Sequence, residues 1–332
     1  MSVVLPVRDG GAWLGEAVDS ILGQSLDNLE LLVVDDHSRD GAPQRLPRRD
    51  PRLRVLCNGG RGVSSAFNSG FAASSGQFIA RMDADDVALP ERLEQQVRLL
   101  EARPDIDICG ACVEIFVADG ASGGRPEGGN RRYQQWLNAC RSPKAIHREL
   151  FIESPIPNPT ALFRRSALTR LEGYADSDWP EDYDLYLRAD ALGMRMAKPD
   201  AVLLRWREHD GRLTRRDPRY AVARFQAAKA RYLARGRLGG EPVVIWGAGP
   251  SGRLMHDLLL AEGVAIRGFL DVHPRRVGGK KRGLPVWPLE HADRAGEALI
   301  LVAVGAAGAR AEIRRFLQQR GRVEGRDFLF VC

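Results

Sequence analysis

Cysteine is scarce and oddly counted in this 332-residue chain: Cys57, Cys109, Cys112, Cys140 and Cys332 are the only thiols. An odd number in a chain of this length argues against a disulfide scaffold. Long apolar runs are missing too. The best stretch, residues 298–307, falls short of the roughly 18 residues that a membrane-spanning helix needs, and it contains Gly305. No basic segment precedes the first apolar run, Val3-Val4-Leu5-Pro6-Val7, which reads as a strand rather than a secretory leader. A cytoplasmic location is therefore expected. With 44% hydrophobic and 28% charged residues, the composition is that of a soluble globular protein and excludes a disordered or fibrous one. At roughly 150 residues per domain, the length suggests about two domains.

The excess of basic residues is local. Residues 212–237 hold nine arginines and lysines against one acid, Asp217, although the whole chain carries only +6. The rest is therefore slightly acidic, which removes support for a nucleic-acid-binding protein. Cys109-Gly110-Ala111-Cys112 has the spacing of a metal or redox pair, but it lies in an apolar run and has no second pair beside it. Core thiols are the expected reading.

Strand and helix alternate over the first hundred residues. Apolar runs at 3–7 and 29–34 read as strands, and Trp13, Leu14, Ala17, Val18, Ile21 and Leu22 recur at helical spacing between them. This is the rhythm of an open, largely parallel sheet, whose ligands belong at the carboxyl ends of the strands. The glycine-rich stretch 119–130 reads as a loop and 212–237 as a basic helix. From Val243 the alternation resumes in a second, smaller α/β domain. The expected division is 1–211, a basic helical linker 212–240, and 241–332.

The chemistry concentrates in acids that follow strands. Asp83 and Asp85 in Asp83-Ala84-Asp85-Asp86 share one side of an extended backbone, where they repel unless a cation lies between them. Oxygen ligands of this kind suit Mg²⁺ or Mn²⁺, which commonly bridges protein to a diphosphate. A solvated acidic turn would explain this motif by itself. Other motifs accompany it in order: Val4-Leu5-Pro6-Val7, Val34-Asp35-Asp36-x-Ser38-x-Asp40, Asn68-x-Gly70, Ala80-Arg81-Met82-Asp83, Pro90-x-Arg92-Leu93, Asn158-Pro159-Thr160, Gly173-Tyr174, Glu181-Asp182-Tyr183-Asp184-Leu185 and Trp206-Arg207-Glu208-His209. Over about two thirds of its length the chain resembles a family 2 glycosyltransferase of the GT-A fold.

The resemblance implies inverting, metal-dependent transfer of a hexosyl or N-acetylhexosaminyl group from a nucleotide sugar. The acceptor it implies is a glycan or a lipid-linked acceptor in surface polysaccharide synthesis. It puts Pro6, Val7 and Asp36 around the base, with Asp36 accepting from the uracil imide of a UDP-sugar. It places Asn68, Arg81 and Asp83 along the nucleotide sugar, Asp85 and His209 at Mn²⁺ or Mg²⁺, and Asp182 as general base. Two places depart from the family pattern: Arg8-Asp9 stand where it often has Tyr-Asn, and Phe67 where an arginine commonly precedes Asn68.

The second domain carries Gly247-Ala248-Gly249-Pro250-Ser251-Gly252 after a strand, with Asp271 ending the next one. That is the context of a dinucleotide fingerprint, in which Gly247, Gly249, Gly252 and Asp271 would hold NAD(P) or another nucleotide. A turn whose glycines only permit close packing explains it equally well. The other function class is a nucleotide-dependent redox protein whose front domain merely binds a nucleotide sugar. A Tyr-x-x-x-Lys acid–base pair is impossible in the second domain, because the last tyrosine is Tyr232. The basic stretch suits an anionic membrane surface, which would make the protein peripheral at the inner face, a lipid-diphosphate acceptor, or a solvated linker helix.

Overall fold

The computed structural model describes all residues except Arg48, 118–127, Glu297 and Ala307, and it does not describe the side chains of Asp293 and Arg294. The chain separates into two compact units, one of residues Met1–His147 with Pro155–Pro218, the other of Arg148–Ser154 with Arg219–Cys332. The stretch expected as a linker is divided between them, 212–218 lying in the first unit and 219–240 in the second. The expected glycine-rich loop lies outside the described residues except for 128–130, which open a helix.

The first unit begins β1 (Ser2–Val7), α1 (Trp13–Leu22), β2 (Glu30–Asp35), β3 (Leu53–Cys57), α2 (Val63–Ala73) and β4 (Phe78–Arg81). There follow β5 (Val87–Ala88), α3 (Arg92–Ala102), β6 (Ile108–Cys109), β7 (Cys112–Val117), α4 (Gly128–Ala139) and α5 (Pro143–Glu149). The remaining elements are β8 (Leu162–Arg164), α6 (Arg165–Arg170), α7 (Glu181–Ala191), β9 (Met196–Ala197), β10 (Val202–Glu208) and α8 (Leu213–Arg216). Seven strands form one sheet in the order β3-β2-β1-β4-β8-β6-β9, and β5-β10-β7 form a second.

β1 pairs in parallel with β2 on one side and β4 on the other, so the loops after all three emerge at one edge of the sheet. The order reverses at β1, and this makes the crevice between the ends of β1 and β4 the natural ligand site. Both faces of β1 are covered, and the buried Val3, Val4, Leu5 and Val7 explain its unbroken apolar sequence. α2 packs directly on this strand at Gly70, where a Cβ would lie 2.4 Å from Val4 Cγ1 and 2.9 Å from Val34 Cγ2. Gly70→Ala should therefore destabilise the protein by about 1–3 kcal/mol through overpacking. Urea unfolding measures this, and an unchanged midpoint would show that the helix yields freely.

Cys109 and Cys112 end up on different sheets, both buried and both free thiols. Burial pushes the Cys109 thiol up to about 12, as expected of a core thiol. The basic stretch is not one helix. Asp217-Pro218 ends α8, and a separate α9 (Val222–Tyr232) follows, because proline cannot continue the helical hydrogen-bond ladder.

The second unit continues with β11 (Val243–Trp246), α10 (Pro250–Ala261), β12 (Ile266–Leu270), β13 (Lys280–Lys281), β14 (Leu284–Trp287), β15 (Leu299–Val302), α11 (Ala309–Gln318) and β16 (Phe328–Phe330). Its sheet has the order β13-β14-β12-β11-β15-β16, parallel except for β13. Ile152, from the segment Arg148–Ser154, lies in this unit's core with Val244, Ile300 and Phe328. The buried Lys229 Nζ donates to the Ile152 carbonyl at 2.7 Å. No helix among the described residues is long and apolar enough to cross a membrane.

Candidate active site

Three loops meet at the carboxyl edge of the first sheet. Asp9, at φ +54°, donates its N–H to Ser38 Oγ at 3.1 Å, and its carboxylate accepts from the Arg39 N–H at 2.6 Å. Gly11 N donates to Asp40 Oδ2 at 2.8 Å. The departure at Asp9 is thus a cross-tie between the loops after β1 and β2. Pro6 and Val7 are buried inside β1, and the Val7 carbonyl accepts from Asp36 N at 2.8 Å. As neighbours on a strand their side chains point to opposite faces, and that of Val7 lies in the apolar core. Asp36 is buried and accepts from Asn58 Nδ2 at 2.7 Å and from Gly62 N at 3.0 and 3.1 Å.

The acidic turn after β4 rests on three cations. Arg81, 3% exposed, donates from Nε to Asp83 Oδ1 at 2.9 Å. Its guanidinium carbon lies 5.7 Å from the Phe67 ring centre and 5.3 Å from that of Tyr174. Burial opposes the charge of Arg81, but Asp83, Tyr174 and Glu181 outweigh it and hold the group protonated. Arg92, fully buried beneath the turn, donates to the Arg81 carbonyl at 2.6 Å; burial lowers its guanidinium to about 10. Arg207 on β10 donates from its backbone to Asp86 Oδ1 at 2.8 Å and from Nε to the Asp85 carbonyl at 2.7 Å. It also pairs with Glu16 of α1. Burial, with Asp85 and Asp83 beside it, raises the Asp86 carboxyl well above the usual range against the opposing pull of Arg212 and the Arg207 N–H.

Asp85 Oδ2 lies 2.9 Å from His209 Nε2, although the two residues are 124 positions apart. Gly211 N donates to His209 Nδ1 at 3.1 Å, which places the ring proton on Nε2, facing Asp85. The ring packs against Trp13 at 4.3 Å between centres. Among the described residues no group of three or more His, Cys, Asp and Glu side chains could hold a metal. One carboxylate and one imidazole fit an ion that takes its other ligands from a diphosphate and water, as Mg²⁺ commonly does. A metal on Nε2 would displace the proton there.

The loop before α7 is held from two directions. Asn68 Nδ2 donates to the Tyr174 carbonyl at 2.8 Å, and Tyr174 N donates back to Asn68 Oδ1 at 3.0 Å. Asn68, the residue expected along the nucleotide sugar, clamps this backbone. Arg188 pairs with Asp184 at 2.7 Å and donates to the Gly173 carbonyl at 2.9 Å, fixing α7 to the same loop. Asp182 is the second residue of α7, partly buried, with Oδ1 accepting from Tyr183 N at 2.7 Å. The buried Tyr174 hydroxyl donates to Asn158 Oδ1 at 2.5 Å. Its pKa is raised, chiefly by burial and then, against the opposing pull of Arg81, by Asp182, Glu181 and Asp83. Acids from the turn after β4 and from the start of α7 thus act on one hydroxyl.

Residues 2–171 match the model of glycosyl transferase family 2. The chain belongs to that family. An uncharacterized glycosyltransferase of Haemophilus influenzae is 29% identical over 217 residues, which are 63% of this chain and 65% of that protein, just under two thirds of its length. The amylovoran biosynthesis glycosyltransferase AmsE of Erwinia amylovora is 28% identical over 198 residues, 58% of this chain and 70% of its own. Among solved structures, residues 1–349 of S. aureus TarS in complex with UDP-GlcNAc superpose with a TM-score of 0.56 at 16% identity, covering 79% of this chain and 71% of that one. That likeness is one of fold. For a family 2 chain, the residues that sequence reasoning missed are Arg207, Arg188 and Asn58, all of which act by holding other groups. Arg207 stood within a motif already quoted and Arg188 lies three residues beyond another, whereas Asn58 stood in none of them.

In the second unit the glycine turn follows β11 and opens α10. Gly247 has φ +110°, and a Cβ on Gly252 would lie 1.7 Å from the Gly247 carbonyl oxygen, so close packing requires both glycines. Gly249 flanks α10, and a Cβ there would meet Arg276 at 3.4 Å. Asp271, the acid expected at a ribose, accepts from Ala248 N at 2.8 Å, His273 N at 2.8 Å and Arg276 Nη1 at 3.1 Å. Burial raises this carboxyl, but those hydrogen bonds outweigh it and hold the group below its usual range. The acid braces the glycine turn.

Proposed function

We propose that this protein transfers a sugar from a nucleoside-diphosphate sugar, preferentially a UDP-sugar, with inversion at the anomeric carbon. The acceptor is a glycan or lipid-linked sugar of surface polysaccharide synthesis. The observation that carries this reading is the pairing of Asp85 with His209 beside Asp83, at the sheet edge that also holds Asp36. The amylovoran relative supports the biosynthetic setting.

In this mechanism Asp182 accepts the proton of the incoming acceptor hydroxyl. The hydroxyl oxygen bonds to the anomeric carbon as the bond from that carbon to the phosphate oxygen breaks, and the nucleoside diphosphate leaves. Asp85 and His209 would hold Mg²⁺ or Mn²⁺, which when bound neutralises charge on the leaving diphosphate. Arg207 fixes the Asp85 backbone, and Arg81 fixes the Asp83 carboxylate.

Calorimetry with UDP tests the reading: binding should require Mn²⁺ or Mg²⁺, vanish with EDTA, and be abolished in Asp85→Ala. Equal affinity with and without EDTA would defeat the metal assignment. NMR of the product should show inverted anomeric configuration, and retention would rule out a single displacement.

A further inference from the structure

We propose that Asn58 is a positioning residue that aims Asp36 at the donor's base and thereby selects bases bearing a ring N–H. This inference rests on the nucleotide-sugar reading above. Asn58 directly follows β3, is 3% exposed, and donates its backbone N–H to the Asp35 carbonyl at 2.9 Å. Its side-chain amide is engaged at both ends. Nδ2 donates to Asp36 Oδ1 at 2.7 Å, while Oδ1 accepts from Gly60 N at 3.1 Å, Ser65 Oγ at 3.0 Å and Ser69 Oγ at 3.1 Å. A backbone N–H can only donate and a carboxylate can only accept, so the amide has one permitted orientation.

The consequence falls on Asp36. Its Oδ1 takes both Asn58 Nδ2 and Gly62 N, whereas among the described residues Oδ2 takes Gly62 N alone. Oδ2 keeps acceptor capacity, and Asn58 determines which oxygen does so. The loop cannot drift from this arrangement easily. A Cβ on Gly60 would lie 2.3 Å from Ser65 Oγ, so the loop closes tightly on the first turn of α2. A carboxylate oxygen with a free lone pair accepts from uracil N3–H, and it repels the unprotonated N3 of cytosine. Polar complementarity of this kind discriminates more strongly than apolar fit.

The test is calorimetry of UDP and CDP with Mn²⁺ on the full chain. The wild type should bind UDP at least about tenfold more tightly than CDP. Asn58→Asp turns the amide donor into a second carboxylate, and it should weaken UDP about tenfold while changing CDP less than about threefold. The reciprocal exchange, Asp36→Asn with Asn58→Asp, retains a donor and an acceptor between the two side chains. It should melt near the wild-type temperature and still lose the preference for UDP. Equal weakening of UDP and CDP in Asn58→Asp, or a UDP preference that survives the exchange, would overturn the inference. So would a wild type that binds both nucleotides equally. A wild type that binds neither would overturn the transferase reading itself.

Discussion

Replacing Asp182 with asparagine should lower kcat by about 10²–10⁴-fold, the usual contribution of a positioned general base. The affinity for UDP should stay within about threefold, because the base acts on the acceptor hydroxyl in the transition state. Asparagine preserves the size of the side chain and the oxygen that accepts from Tyr183 N. What it removes is the capacity to take a proton. The competing explanation for acids here is that Glu181, Asp182 and Asp184 complement the positive end of the α7 dipole. That effect is worth under about 1 kcal/mol and touches stability alone. Steady-state kinetics beside a thermal melt separates the two accounts: a lower melting temperature with kcat near wild type would take Asp182 out of the mechanism.

Acid should remove a stabilisation that resides in Glu30, at the opposite end of the sheet. Its Oε1 accepts from Ser2 Oγ at 2.7 Å, Ser75 N at 2.7 Å and Ser75 Oγ at 2.8 Å, and Oε2 pairs with Arg54 at 3.1 Å. Burial works to raise this carboxyl, but these donors together bring it from 4.5 to about 2. Since the folded value lies below the unfolded one, the stabilisation is complete above about pH 4.5 and is lost as the pH falls towards 2. It amounts to at most about 3 kcal/mol at neutral pH. Glu30→Gln should therefore unfold at lower denaturant than wild type at pH 7, with the gap closing on acidification. A gap that stays constant from pH 7 down to the folded pKa would mean that the ionised form confers nothing special.

The sequence made the carboxyl edge of the first sheet legible because β1 and β2 are short apolar runs that end in polar loops. The acids after them therefore had to lie at one edge. Asp85 and His209 were associated through motif order alone; neither composition nor spacing brings residues 124 positions apart into contact. The props were harder to see. Arg81 and Arg92 look like surface charges, and their burial depends on how strands from distant parts of the chain close over the turn. Phe67, read as a departure in the nucleotide pocket, forms the apolar wall on which the Arg81 guanidinium lies. In the second unit Asp271 stood at the correct place for a ribose contact, yet the nearest donors were the turn's own Ala248 N–H and Arg276. Position along a chain identifies a candidate acid, whereas its partners depend on which donors are already within reach.

The segment Arg148–Ser154 carries a consequence for how this polypeptide could be taken apart or assembled. Because it belongs to the second unit while residues on both sides belong to the first, the chain passes from one unit to the other at 147/148, 154/155 and 218/219. A stop codon placed near Gly239 would strip away the strands that surround Ile152 and leave that side chain without its core. Fusing residues 219–332 to another protein would equally omit a piece of their own interior. A single genetic crossover therefore cannot exchange either unit intact, and the smallest transplantable second module consists of two separate stretches of the gene.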